Sequence, residues 1–195
     1  MNHQTGSKIV TASGRELNPL APVIEDIHIL DIAHALSHVC RFTGHCKHFY
    51  SVAQHAVLVA MACPPDLRQW GLLHDASEAY LADLAKPVKD QCPGYEAAEE
   101  HLLKLIGEKF GLPWPIPREV KAADQTMFLT EWRDLMPAEV ESRSLIGRMF
   151  DGELLQALPD RIVPWPPHLA RKLFLGAFTD LFNPVIEVPN RIVTP

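Results

Sequence analysis

The sequence predicts an all-α fold, a compact single domain with a short N-terminal extended arm or hairpin. Three observations predict it. Apolar residues recur at helical spacing in successive stretches, most clearly over 94–110, where Ala98, His101, Leu102, Leu105 and Ile106 face one way and Glu99, Glu100 and Lys104 the other. Stops punctuate those stretches, as at Pro64-Pro65 and Gly111-Leu-Pro-Trp-Pro-Ile-Pro117. A chain of 195 residues that is 47% hydrophobic buries one core, with no internal repeat or low-complexity tract to divide it.

The elements follow in order. In residues 8–24, Ile9, Val10 and Thr11 favour strand, Ser13-Gly14 a turn, and Asn18-Pro19 an end. A helix starts near Asp31, which can cap it, and runs to about Arg41. Residues 42–50 read as a polar loop flanked by aromatics. The next helix opens at Ser51, which has the capping-box spacing to Gln54, and Val52, His55, Ala56 and Val59 share a face. After Pro64-Pro65 a helix is expected from Asp66 to about Tyr80, then an irregular segment, 81–89, broken by Pro87. Beyond the 94–110 helix, another carries Asp124 through Phe128, Leu129 and Trp132. Trp70 and Trp132 read as core. Residues 137–165 have no clear pattern. A last helix spans roughly His168 to Phe182. The core is expected over about 25–182, with an extended tail at 183–195.

The formal net charge is −6 and no Lys/Arg run stands out, which argues against a duplex nucleic-acid partner. A small anionic substrate stays open, because a metal ion and local cations can reverse the sign inside one pocket. No apolar run approaches the ~20 residues of a membrane span. Met1–Lys8 lacks the apolar centre of a signal peptide. Cys40, Cys46, Cys63 and Cys92 show no CxxC spacing and read as reduced thiols, so a cytoplasmic location is expected.

Histidine is the compositional outlier: of ten, His34, His38, His45, His48, His55 and His74 fall in one stretch. His74-Asp75 lies in an apolar helical run, with Glu78 one turn on. His55 sits on a second apolar helix and Asp124 on a third. An isolated His-Asp pair is usually a hydrogen-bonded core histidine beside a local cap. Two imidazoles and two carboxylates on hydrophobic helices are costly to bury unless they share a partner, and a divalent cation is the simplest one. The mixed nitrogen and oxygen set suits Mn, Fe, Co, Mg or Zn without selecting one. Glu78 is placed to accept a proton from water. Arg41, Lys47, Lys86 and Lys89 are candidate phosphate-holding cations, more than a single monophosphate requires. His45 and His48 are candidates for phosphate contact or proton donation to a leaving group. His34 and His38, four apart, read as core or helix-face histidines rather than a second metal site.

The pattern His55 … His74-Asp75 … Asp124 resembles the HD superfamily of metal-dependent phosphohydrolases. The resemblance covers roughly residues 28–135. Val52-Ala-Gln-His55, His74-Asp-Ala-Ser-Glu-Ala-Tyr-Leu-Ala-Asp83 and Lys86-Pro-Val-Lys89 resemble the bacterial HD-type 5'-deoxyribonucleotidases. Cys40-Arg-Phe-Thr-Gly-His-Cys-Lys-His-Phe-Tyr-Ser51, with Gly14-Arg-Glu-Leu-Asn-Pro19, looks closer to phage dATP triphosphohydrolases and oxetanocin-type phosphohydrolases. The resemblance implies a compact HD-type helical bundle. It implies His55, His74, Asp75 and Asp124 as metal ligands, Glu78 as the residue that positions or activates water, and Asp83 as a second acid near phosphate and sugar. It implies Arg41 holding phosphate and Phe42 stacking beside the nucleoside. The expected function is a dATP triphosphohydrolase giving deoxynucleoside and polyphosphate. A 5'-deoxyribonucleotidase acting on dNMP is the alternative, and a non-catalytic nucleotide sensor a more distant one. Related HD nucleotidases often assemble, so a homo-oligomer is expected.

Overall fold

A computed structural model describes residues 8–137 and 155–182; the expected tail at 183–195 lies outside them. Among the described residues the fold is all-α apart from one antiparallel hairpin. Strand β1 (Ile9–Val10) pairs with β2 (Glu16–Leu17), Ile9 opposite Leu17 and Val10 opposite Glu16. Gly14 turns it at φ +78°, a conformation only glycine adopts freely. Leu17 is fully buried and pins the hairpin to the core.

Helix α1 (Ile29–His38) begins after His28, not at Asp31, and ends short of Arg41. Asp31 is its third residue and does not cap it. Its buried carboxylate accepts hydrogen bonds from Thr11 Oγ1 (3.0 Å), the Ser13 amide (2.7 Å) and Ser13 Oγ (2.7 Å). Asp31 therefore fastens the hairpin turn to α1.

Helix α2 (Val52–Ala62) is the central element, buried along nearly all its length. Ser51 Oγ accepts from the Gln54 amide at 3.1 Å, the expected cap. The Gln54 side chain does not complete the box. It donates to the Val163 carbonyl (2.9 Å) and accepts from the Trp165 amide (2.7 Å), fastening that segment over α2.

Helix α3 (Arg68–Leu73) packs on α2 at Gly71, where an added Cβ would sit 2.8 Å from Ala60 Cα and 2.8 Å from Cys63 Sγ. The single helix expected from Asp66 to Tyr80 is interrupted here. Residues 73–80 tighten into i→i+3 hydrogen bonds, Ala76 to Leu73, Glu78 to Asp75 and Tyr80 to Ser77, before a single turn of helix, α4 (Glu78–Leu81). The cause is local. His74 Nδ1 reaches the Gly71 carbonyl at 2.8 Å, an oxygen that a continuous helix reserves for the Asp75 amide.

One-turn α5 (Lys86–Lys89) starts with Pro87 in its first turn. Helix α6 (Pro93–Phe110) buries Leu102 and Ile106, leaves His101 exposed, and ends at Gly111 in the left-handed conformation, φ +71°. Helix α7 (Arg118–Leu135) buries Val120, Ala123, Met127, Glu131 and Leu135. Helix α8 (Pro167–Phe182) lays Ala170, Phe174 and Phe178 against α1, α2 and α3. Trp70 is core, as expected, whereas Trp132 is half-buried and lines a cavity. Among the described residues, no helix is long and apolar enough to cross a membrane.

Candidate metal centre and its cavity

Three elements bring the polar cluster together. Helix α2 supplies His55, the tight turn after α3 supplies His74 and Asp75, and α7 supplies Asp124. His55 Nε2 lies 3.2 Å from His74 Nε2 and 3.1 Å from Asp124 Oδ1. Asp75 Oδ2 is 3.4 Å from the His55 nitrogen and 3.2 Å from that of His74. His74 Nε2 and Asp124 Oδ1 are 3.8 Å apart.

The outer nitrogens decide what this arrangement holds. His55 Nδ1 lies 2.6 Å from Glu131 Oε1, and His74 Nδ1 lies 2.8 Å from the Gly71 carbonyl. Both partners accept, so both Nδ1 atoms carry hydrogen. In the neutral rings, two Nε2 lone pairs then face each other, flanked by two carboxylate oxygens. Such a set repels itself until a cation occupies it. His55, His74 and Asp124 could therefore hold a metal ion, with Asp75 beside them.

The titration behaviour has the same origin. Burial pushes His74 down, but Asp75 and Asp124 overcome it and raise the ring to about 10. His55 is depressed by burial and by Arg41, yet Glu131, Asp124 and Asp75 lift it well above the usual histidine value. Burial opposes ionisation of Asp75 and Asp124, but the two imidazoles hold both below the carboxylate range. A proton is the cation these groups recruit when they have no other.

A cavity of about 690 Å³ opens from the cluster. Asp75, Glu78, Asp83 and Asp124 form its acidic wall. Asp75 and Glu78, three apart in the tightened turn, lie on one face. The sequence spacing puts His74, Asp75 and Glu78 on one face; in the structure Asp75 and Glu78 line this cavity, while His74 lines an adjoining cleft of about 590 Å³ that shares Asp75 and Asp124 with it. Burial, then Asp75 and Asp83, hold the Glu78 carboxyl well above its usual range. Its Oε2 has no hydrogen-bond partner among the described residues. Asp83 is also pushed up by burial, against the pull of Arg41.

The opposite wall is aromatic. Phe42 meets Phe128 at 5.6 Å and Trp132 at 6.1 Å between ring centroids, and the Arg41 guanidinium lies 5.5 Å from the Phe42 centroid. Phe42 (φ +55°), Thr43 (φ +53°) and Ala82 (φ +67°) all have positive φ, and they lie at or beside residues that line this cavity. Strain of this kind persists only where surrounding packing enforces it, and it concentrates at functional sites.

Of the expected substrate-holding residues, Arg41, Phe42, His45, Lys86 and Lys89 line the cavity. Lys47 and His48 are exposed and do not. Three of the cations are already engaged. Arg41 bonds Glu131 (3.1 Å) and Asp75 (3.4 Å), Lys89 bonds Glu99 (2.7 Å), and Lys86 bonds Asp90 (3.0 Å). His34 and His38 stack on each other on α1, away from the cluster.

Glu131 escaped the sequence reading. It is fully buried, and its carboxylate accepts from His55 Nδ1, Tyr50 Oη (2.8 Å) and Arg41 Nε. The available signal was its spacing: seven residues past Asp124, it returns to the buried stripe of Val120, Ala123 and Met127.

The fold and this cluster define a small helical protein in which two buried histidines and a half-buried aspartate form a group able to hold a metal ion. No protein-family model matches the chain. It is 40% identical over 164 residues to Uncharacterized protein YfdR of Escherichia coli (strain K12), covering 80% of this chain and 85% of that protein. It is 37% identical over 169 residues to Uncharacterized protein RCAP_rcc00048 of Rhodobacter capsulatus, covering 79% and 86%. The chain belongs to the same family as YfdR.

Proposed function

We propose that this protein is a metal-dependent phosphohydrolase of the HD type that acts on deoxynucleotides. The observation that carries the reading is the convergence of two Nε2 lone pairs and two carboxylates, each imidazole locked from behind in the metal-binding tautomer. His55, His74, Asp75 and Asp124 would hold the ion. A divalent ion bound there supplies charge neutralisation of the phosphate oxygens and acidification of water.

The rest of the chemistry belongs to the chain. Glu78 faces the cavity beside Asp75 with its carboxyl pushed toward neutrality. In its ionised form, which a cation held beside Asp75 would favour, this carboxylate would take a proton from attacking water and, once protonated, return it to the departing sugar oxygen. Arg41, Lys86 and Lys89 lie where they orient phosphoryl oxygens. Phe42, Phe128 and Trp132 offer apolar ring surface to a nucleoside.

The sequence points to a triphosphate through the resemblance of the Cys40–Ser51 loop and Gly14–Pro19 to dATP triphosphohydrolases, with the number of nearby cations in support. A specific observation favours the alternative, a 5'-deoxyribonucleotidase acting on dNMP. Lys47 and His48 stand outside the cavity, and Arg41, Lys86 and Lys89 already have carboxylate partners. The second cleft, beside the cluster, sets Glu96, Glu99 and Glu100 against Lys86, Lys89 and Lys121, with Lys89 paired to Glu99, so it offers no net positive charge to further phosphates.

The test is hydrolysis of dAMP and dATP by metal-depleted protein resupplied with Mn²⁺ or Co²⁺. Metal-dependent orthophosphate release from dAMP is expected. Triphosphate release from dATP, with dAMP untouched, would overturn the monophosphate assignment. Protein that binds metal and nucleotide without turnover would be a sensor.

A further inference from the structure

We propose that Glu131 is a positioning residue that ties the two sides of the site together, setting metal affinity through His55 and substrate affinity through Arg41. The proposal rests on the metal-dependent reading above. Glu131 is fully buried, and its two oxygens are divided between two tasks. Oε1 accepts from His55 Nδ1 at 2.6 Å, and Oε2 accepts from Arg41 Nε at 3.1 Å. An ionised carboxylate only accepts hydrogen bonds, so it admits only the His55 tautomer whose Nε2 lone pair faces the cluster.

The same carboxylate needs a buried positive partner, and that partner is Arg41, whose other end reaches Asp75 Oδ2 at 3.4 Å on the cavity wall. The guanidinium carbon is thus held over the Phe42 ring, 5.5 Å from its centroid. Asp124 and Glu131 lie two turns apart on α7, so one rigid helix carries both a ligand and the support for another. Tyr50 Oη, at 2.8 Å, holds Oε1 in place.

Glu131→Gln separates the roles. The amide keeps the volume but presents donors as well as an acceptor, so it no longer enforces one tautomer. Titration of metal-free protein with Mn²⁺, read by electron paramagnetic resonance, should show affinity about 10–100-fold weaker than wild type. The circular dichroism spectrum should be unchanged. At saturating Mn²⁺, kcat should largely return while KM for the nucleotide stays raised, because Arg41 has lost its anchor. A merely structural role would not split the constants in this way.

A second measurement needs no variant. Nitrogen-15 spectra of histidine-labelled, Zn²⁺-loaded wild-type protein should show His55 protonated at Nδ1. Wild-type Mn²⁺ affinity in Glu131→Gln overturns the role of Glu131 and leaves the metal reading standing, whereas His55 protonated at Nε2 removes His55 from the ligand set and overturns both. Wild-type protein that binds no Mn²⁺ overturns the metal reading itself.

Discussion

Gly71→Ala tests whether the packing of α3 on α2 sets the geometry of the metal cluster. The new Cβ would lie 2.8 Å from Ala60 Cα and 2.8 Å from Cys63 Sγ. Ordinary contact begins near 3.4 Å, so α3 must retreat by about 0.6 Å. One obstacle is backbone inside a buried helix and cannot swing aside. Overpacking of this kind costs about 1–3 kcal/mol, and the rigid obstacle places the cost at the upper end. Alanine's better helix propensity returns up to about 1 kcal/mol. The net loss, about 2 kcal/mol, corresponds to a melting temperature lowered by about 4–8 °C for a chain of this size. The same displacement moves His74, three residues on, whose ring nitrogen is bonded to the Gly71 carbonyl. A site geometry tolerates only about 0.5 Å of error, so Mn²⁺ affinity should fall together with stability. Gly176→Ala, on α8 with nothing within 4 Å of the new Cβ, is the control. It should raise the melting temperature slightly and leave Mn²⁺ affinity unchanged. Thermal melts and Mn²⁺ titrations of the three proteins decide the matter. Gly71→Ala melting with wild type and binding Mn²⁺ equally well would refute the reasoning.

The remaining expectations concern the cluster directly. His74→Ala and Asp75→Ala should each abolish phosphate release and lower the metal content of the purified protein, as measured by elemental analysis. Glu78→Gln should remove most turnover while leaving metal bound; full turnover in that variant would show that Glu78 moves no proton. Glu78 also imposes a pH dependence on the metal-free protein. Its folded carboxyl titrates well above the unfolded value of 4.5, so between those two points the folded state holds a proton that the unfolded state has lost. Stability from this group is therefore lost as pH rises through that window. Glu78→Gln keeps the uncharged form at every pH, so its melting temperature should exceed that of wild type more at pH 8 than at pH 5.

The helices were readable where the signal is local. Ser51 caps α2 through an amide three residues away, and α6 follows its apolar spacing. The misread features depend on partners distant in sequence or on a side chain competing with the backbone. Asp31 looks like a cap because it stands near a helix start. Its actual donors, Thr11 and Ser13, lie across the hairpin. The break after Leu73 follows from the His74 ring taking a backbone carbonyl, which an apolar-spacing argument does not weigh.

The cluster itself could be found because polar residues on apolar helices demand an explanation, and His55, His74, Asp75 and Asp124 share one. The same demand, applied to every ionisable residue on the buried stripe of α7, leads to Glu131. It lies inside the protein, so it needs both a donor and a positive charge, and His55 and Arg41 provide them. Arg41 then cannot be counted as a free phosphate-binding cation, because part of its charge offsets Glu131. A list of basic residues in the sequence overstates how much negative charge a site accepts. The engaged state of the half-buried Arg41 and Lys89, more than the number of cations, is what moves the proposed substrate from a triphosphate to a monophosphate.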